Sequence, residues 1–175
     1  MKHQKTTGMK RLLTIGYEGA SITDFIGTLT ALRVTTLLDI RELPISRRKG
    51  FAKTALSEHL SRAGIAYRHE RDLGSPRDIR NRLREDGSYE RFFRDFDRYL
   101  ATQGDLLASL AHEITGTVAL LCYERDHREC HRKSVAAALE KLTGLTPKHH
   151  GVQSHGAVQA RANARARSGQ GVPAT

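Results

Sequence analysis

The sequence predicts an α/β fold: a single three-layer domain with a mostly parallel sheet of about four or five strands and helices on both faces. Short apolar runs alternate with longer segments of helical periodicity, which is typical of parallel strands joined by helices. The clearest example is Thr117–Lys133, where the apolar run Val118–Leu121 is followed by a polar loop and an alanine-rich segment. A run in which the residues of both faces are apolar is expected of a strand that is buried on both faces.

The remaining elements follow from the same periodicities. Runs rich in β-branched residues predict strands, and apolar residues three and four positions apart predict helices. Before the centre of the chain, strands are predicted over Arg11–Ile15, Thr35–Ile40 and Ile65–His69. Helices are predicted after a Ser21 or Thr23 cap and over Lys53–Ala63. The second half gives a mostly helical segment over Ser75–Glu113, a helix ended by Gly144 and a short edge strand within Leu145–His150.

The ends of the chain differ from its centre in composition. Residues 1–9 are a polar extension, and the α/β domain is expected over residues 10–150. Residues 151–175 contain several arginines, no acidic residue and few large apolar residues. Such a segment buries too little surface to offset its chain entropy, so we expect a disordered basic tail.

Charge and composition indicate the class of partner. The chain has 29 Lys and Arg against 19 Asp and Glu, a formal net charge of +10. This excess favours a nucleic acid or a nucleotide as the partner. No segment is apolar for long enough to span a bilayer, and the N-terminus lacks the apolar region of a signal peptide, so no membrane association and a cytoplasmic location are expected. The two cysteines are then expected as reduced thiols. The sequence leaves the oligomeric state open.

Polar residues gather where the predicted strands end. In an open parallel sheet, ligands bind at the carboxyl ends of the strands. The residues at or just after those ends are Glu18, Asp39, Arg41, His69, Cys122 and Glu124. Of these, Asp39 and Glu124 are the main candidates for acid/base catalysis, with Glu18 and Cys122 as further catalytic candidates.

A second group is predicted to hold phosphate. Arginine matches phosphate oxygens with a planar fork, and a helix N-terminus adds N–H donors. The group comprises Arg41, the loop residues Arg47 and Arg48, and Cys130, His131 and Arg132 at the start of a helix.

The two cysteines allow two other kinds of chemistry. A zinc site normally shows closely spaced ligand pairs, and Cys122 and Cys130 are too far apart for that pattern, so no metal or other cofactor is predicted. A thiol nucleophile is the alternative. The Cys-x5-Arg spacing from Cys122 to Arg128 resembles a phosphatase loop, but acidic residues between them would repel an anion. Cys130, at a helix N-terminus, is predicted to have the lower pKa.

Three functions therefore compete. The leading prediction is an enzyme that acts on a nucleic acid or a nucleotide, with hydrolase- or transferase-type chemistry on a phosphate- or sugar-containing substrate. Glu18, Asp39 and Glu124 could converge as nucleophile and general acid, as cleavage of a sugar bond requires. The second is a non-catalytic nucleic-acid-binding module, against which the sequence shows no exposed aromatic platform for stacking bases. The third is a thiol-dependent enzyme that acts on a small molecule.

Several short motifs also carry a family resemblance. They are Thr14–Gly19, Asp39–Arg41, Ser46–Phe51, Gly64–Tyr67, Asp72–Gly74, Leu121–Glu124 and Cys130–Arg132. In this order, over roughly Lys10–His150, the chain resembles the domain of unknown function 488 family. The resemblance implies a compact α/β domain and supports the residues around Asp39, Cys122 and Cys130 as the site, but it implies no particular reaction.

Overall fold

A five-stranded sheet, parallel at every strand pair, forms the centre of the protein. The structure is a computed structural model and describes residues 9–154. The strands are β1 (Arg11–Gly16), β2 (Thr36–Asp39), β3 (Ala66–His69), β4 (Thr117–Cys122) and β5 (Lys148–Gly151). Their order across the sheet is β3-β2-β4-β1-β5.

Six α-helices cover the two faces of the sheet within the described residues. They are α1 (Ile22–Ala31), α2 (Lys53–Arg62), α3 (Arg77–Asp86), α4 (Tyr89–Ala101), α5 (Gly104–Glu113) and α6 (Arg132–Thr143). Single turns of 3-10 helix, Arg71–Leu73 and His127–Glu129, lie in two of the loops. The predicted three-layer α/β domain is confirmed.

The core is divided by the sheet because successive strand residues point to opposite faces. On one face, side chains such as Leu12 and Leu120 pack against α4, α5 and α6. On the other face, Leu13 and Leu121 pack against α1 and α2. Strand β4 lies between β1 and β2 and is buried along its whole length, which explains its unbroken apolar sequence.

The carboxyl ends of the three central strands meet at one edge of the sheet. Cys122 at the end of β4 is in register with Gly16 of β1, and Leu121 is in register with Asp39 of β2. The loop after β4 then packs directly on β1, since a Cβ added at Gly16 would overlap the carbonyl oxygen of Glu124. Glycine at this position allows the loop to turn over the end of the sheet.

Several local predictions are refined by the structure. Ser21 caps α1, since its hydroxyl accepts a hydrogen bond from the Asp24 amide at 3.0 Å. The helical segment from Ser75 divides into α3, α4 and α5. The predicted extension, residues 1–9, and the predicted tail, residues 151–175, lie almost wholly outside the described residues. Within residues 9–154, every helix is too short or too polar to cross a bilayer.

Candidate active site

A cleft of about 1060 Å³ opens at the carboxyl ends of the central strands. Its floor includes Cys122, Glu124 and His131, and its walls come from the loop after β2 and from α3 and α4. This is the position at which an open parallel sheet is expected to bind a ligand.

Four side chains with reactive or metal-ligating groups converge at the floor: Cys122, Glu124, Cys130 and His131. One donor atom from each lies within 4.8 Å of all the others. The Cys122 thiol donates to Glu124 Oε2 at 3.0 Å, and its sulfur lies 3.6 Å from Nδ1 of His131. The Cys130 sulfur lies 4.0 Å from the same nitrogen. The seven residues between the cysteines therefore do not separate them in space, because the loop after β4 brings the start of α6 back to the end of that strand.

The imidazole of His131 is held in one orientation. Its Nε2 lies 2.9 Å from the carbonyl oxygen of Ile40, which can only accept, so Nε2 carries the proton and donates. Burial lowers the pKa of His131, but the nearby Cys130 and Glu124 side chains outweigh it and raise that pKa. In the neutral ring Nδ1 is the acceptor nitrogen, and it faces both sulfurs. The Phe96 ring packs edge-on against the imidazole with ring centroids 5.2 Å apart.

Burial dominates the protonation of the two thiols. It raises the pKa of Cys122 and raises the pKa of Cys130 well above its usual value. The prediction of a lowered pKa for Cys130 is therefore wrong, because the helix N-terminus does not offset the loss of solvent. Burial also opposes ionisation of Glu124, but hydrogen bonds from the two thiols outweigh it and hold the pKa of that carboxyl below its usual range.

Asp39 lies beneath the cleft and not in it. The side chain is 0% exposed, and both carboxylate oxygens are occupied. Oδ1 accepts from the backbone amide and Nε of Arg41, at 3.2 and 2.8 Å, and Oδ2 accepts from its terminal nitrogen at 2.6 Å and from the Tyr67 hydroxyl at 2.7 Å. Arg41 does border the cleft and also donates to the Tyr17 hydroxyl at 3.0 Å. Burial and the Asp39 carboxylate together raise the pKa of Tyr67.

Three other predicted site residues lie outside the cleft and form hydrogen bonds with the backbone of nearby loops. Glu18 is exposed and accepts from the Arg125 amide at 3.0 Å, beside a separate cavity. Arg132 is 1% exposed, and its guanidinium donates to the carbonyl oxygens of Glu124 and Arg125. His69 donates from Nε2 to the carbonyl oxygen of Arg41 at 2.8 Å. The structure brings these residues to the same edge of the sheet but not to the cleft.

The Cys-x5-Arg spacing does not form a phosphate loop. Arg128 pairs with Asp126, with Nη2 and Oδ2 2.7 Å apart, and it does not border the cleft. The observation agrees with the expectation that acidic residues in this segment exclude an anion.

Three arginines on the cleft walls are exposed, although Arg48 donates to the carbonyl oxygen of Ala20 and Arg84 donates to the side chain of Asn81. Arg47 and Arg48 of the loop after β2 are exposed and border the cleft, and so does Arg84 of α3. Within residues 9–154, none of the three forms an ion pair with a carboxylate. Arg80, by contrast, pairs with Glu42 at 2.6 Å.

The sequence did not identify two tyrosines and one arginine of the cleft. Tyr89 and Tyr123 border it and are 39% and 46% exposed, contrary to the expectation that no aromatic side chain is available for stacking. The position of Tyr123 is deducible: it lies between Cys122 and Glu124, which both turn inward, so it must turn outward. Arg84 follows Arg80 by one helical turn, and this spacing places both on one face of α3.

Comparisons with known proteins identify a family but no characterised relative. The sequence profile of the family described as "Domain of unknown function DUF488" matches residues 21–139, which is about two thirds of the chain. A search of curated proteins finds no match, and a search of solved structures finds none either.

Proposed function

The chain belongs to the family described as Domain of unknown function DUF488, and we propose that it is an enzyme that acts on a nucleotide or a nucleic acid bound in the cleft. One observation carries the proposal. A carboxylate, Glu124, borders the same cleft as three arginines that have no carboxylate partner within residues 9–154. The arginines supply anion binding, and the carboxylate supplies acid/base chemistry.

The walls suit a phosphate group with a base attached. Five arginines and three glutamates border the cleft, so its net charge is positive. An exposed guanidinium group with no carboxylate partner can bind phosphate oxygens through two parallel hydrogen bonds. The exposed rings of Tyr89 and Tyr123 offer faces on which a base can stack, an interaction that contributes about 1–3 kcal/mol per base. A nucleotide uses both features, whereas inorganic phosphate would use only the arginines.

The floor suits proton transfer. Glu124 is held by the Cys122 thiol at 3.0 Å, and its backbone carbonyl is held by Arg132, so the carboxylate has a fixed position at the edge of the cleft. A fixed carboxylate that reaches the ligand space can act as a general base or acid in a hydrolase- or transferase-type reaction. Asp39 takes a different role from the one predicted: it holds Arg41, and we assign it as a positioning residue.

A non-catalytic nucleic-acid-binding module is the second candidate, and the two exposed tyrosines favour it. A thiol-dependent enzyme is disfavoured because both thiols are buried. The two remaining candidates differ in what Glu124 does. In an enzyme, Glu124→Gln abolishes turnover and leaves binding nearly unchanged. In a binding module, no chemical change of the ligand is found with either protein.

The test combines binding with turnover. Fluorescence anisotropy of labelled single-stranded and duplex DNA and RNA is measured with the full chain across a salt series, and each oligonucleotide is then analysed for chemical change. Arg47→Gln/Arg48→Gln is expected to weaken binding and reduce its salt dependence, since two phosphate contacts are lost. The control Arg62→Gln/Arg98→Gln removes the same charge from exposed positions outside the cleft. Equal effects of the two double variants would refute binding in the cleft.

A further inference from the structure

We propose that Cys122, Cys130 and His131 bind a zinc ion at the floor of the cleft. The fourth coordination position faces the cleft beside Glu124. This site is defined by protein side chains alone, so it does not depend on the substrate proposed above.

The distances between donor atoms match those of a tetrahedral zinc site. Zn–S bonds of about 2.3 Å and Zn–N bonds of about 2.0–2.1 Å place a sulfur and a nitrogen ligand roughly 3.5–3.6 Å apart. In the protein, Nδ1 of His131 lies 3.6 Å from the Cys122 sulfur and 4.0 Å from the Cys130 sulfur. These two pairs therefore require adjustments of only a few tenths of an ångström to hold an ion, and the two sulfurs lie within 4.8 Å of each other.

The contacts of His131 and Cys130 suit these two residues to metal binding. Zinc-binding histidines usually donate their second ring nitrogen to a carbonyl or a carboxylate, which fixes the tautomer. His131 does this through Nε2 and the carbonyl oxygen of Ile40, so its Nδ1 lone pair faces the two sulfurs. The backbone amide of Arg132, at the start of α6, points at the Cys130 sulfur at 3.5 Å and would stabilise a thiolate there. These contacts are those of a ligand shell and its supporting hydrogen bonds.

The donor set indicates which metal is bound. Thiolate and imidazole ligands select zinc over magnesium or calcium, which prefer oxygen. Two cysteines and one histidine with a vacant fourth position form one of the ligand sets of catalytic zinc, while structural sites usually have four protein ligands. Cys130 lies away from the cleft, whereas Cys122 and His131 border it, so the vacant position is on the cleft side.

Glu124 lies where it can serve this ion. Its Oε2 is 3.0 Å from the Cys122 sulfur and it borders the cleft. Zinc lowers the pKa of a bound water to about 7. When bound, the ion would supply an activated water for a hydrolytic reaction, and Glu124 would hold that water and accept its proton as the water attacks the substrate. This last step rests on the proposed function, whereas metal binding does not.

Cobalt substitution tests the ligands directly. The full chain is stripped with a chelator and titrated with Co²⁺, and the thiolate-to-cobalt charge-transfer band and the visible bands of tetrahedral cobalt are recorded. The chain has only two cysteines, so the charge-transfer band can come only from Cys122 and Cys130. One equivalent of Co²⁺ is expected to saturate both bands, and Zn²⁺ is expected to displace it. Absence of the charge-transfer band would overturn the proposal.

Variants separate ligands from neighbours. Cys130→Ser and His131→Asn are expected to weaken Co²⁺ binding at least tenfold. His127→Asn is the control, because His127 stacks on His149 beside a separate cavity. Glu124→Gln is expected to keep one bound ion with the tetrahedral spectrum. If Glu124→Gln loses the ion as readily as Cys130→Ser does, Glu124 is a ligand and the open fourth position is refuted.

A thiol assay avoids dependence on variants that fail to fold. In urea sufficient to expose the two buried thiols of the chelator-treated chain, both are expected to react with a thiol-specific reagent, whereas in the zinc-loaded chain both are expected to resist it. Thiols that react at the same rate with and without chelator, or that are found joined in a disulfide in the freshly purified chain, would refute metal binding. Failure of oligonucleotide binding would leave all of these results unchanged, so the two proposals are tested separately.

Discussion

Replacing Asp39 with asparagine tests the buried ion pair beneath the cleft. The Asp39 carboxylate accepts four hydrogen bonds. Three come from the backbone amide and guanidinium of Arg41, and the fourth comes from the Tyr67 hydroxyl. An asparagine has one oxygen, and its amide nitrogen must face one of the two donor pairs. The less costly choice is the Tyr67 side, because a hydroxyl can rotate and accept, but the terminal nitrogen of Arg41 still loses its acceptor.

The cost follows from the buried charge that remains. A lost hydrogen bond to a charged group costs about 1.5–3 kcal/mol. Removal of one partner from a buried ion pair costs about 3–5 kcal/mol in total, since the other charge is left uncompensated. We therefore expect Asp39→Asn to lower the free energy of unfolding by about 3–5 kcal/mol. With an m-value of about 2 kcal/mol/M, the urea midpoint would fall by roughly 2 M.

Urea unfolding followed by far-UV circular dichroism measures this change, since the chain has no tryptophan. The control is Glu58→Gln, which breaks an exposed pair with Arg62 whose nitrogen and oxygen are 3.8 Å apart. That change should cost less than about 1 kcal/mol. The double variant Asp39→Asn/Arg41→Gln should recover part of the loss, because no buried charge then remains. An Asp39→Asn cost no larger than that of the control would refute the assignment of Asp39 as a positioning residue.

Two further predictions concern stability. Gly16→Ala should lower the free energy of unfolding by about 1–3 kcal/mol, because the new methyl group meets the backbone of the loop that carries Glu124. The control Gly104→Ala, where no atom lies near the added methyl group, should be neutral or stabilising. Equal effects of the two variants in urea unfolding would contradict the reasoning. The second concerns pH. Burial and the nearby His127 and Arg132 lower the pKa of His149, so the unfolded chain binds a proton more readily than the folded chain. The contribution of neutral His149 to the free energy of unfolding is therefore complete above about pH 6.5 and is lost as the pH falls. The urea midpoint should therefore fall between pH 7 and pH 5, and less so in His149→Asn.

The fold and the position of the cleft were predictable because both depend on local patterns. The unbroken apolar run of β4 reports burial on both faces, and the helical periodicities between the strands require a parallel sheet. Once the sheet is parallel, all strand carboxyl ends lie at one edge. The predicted site residues Cys122, Glu124 and Arg41 therefore face the cleft without any knowledge of packing.

The roles of individual residues were not predictable, because they depend on distances and burial. The helix N-terminus favoured a reactive Cys130, but the sequence does not show that the thiol is buried, and desolvation raises its pKa. Sequence spacing likewise argued against a metal. The usual spacing rule for zinc sites covers ligand pairs that are close together in the sequence. Cys122 and Cys130 are distant in the sequence but come together because one ends a strand and the other precedes a helix.

The segment after β2 connects the two halves of the site. Asp39 fixes the Arg41 side chain, which donates to the Phe51 carbonyl oxygen at 2.9 Å and so holds the loop that carries Arg47 and Arg48. Ile40 lies between Asp39 and Arg41 in the sequence, and its carbonyl oxygen fixes the tautomer of His131. One short turn thus orients the proposed metal ligand on one side and, on the other, the loop that we propose binds phosphate. This arrangement explains why a fully buried carboxylate at the end of a strand can matter to the cleft without contacting a ligand.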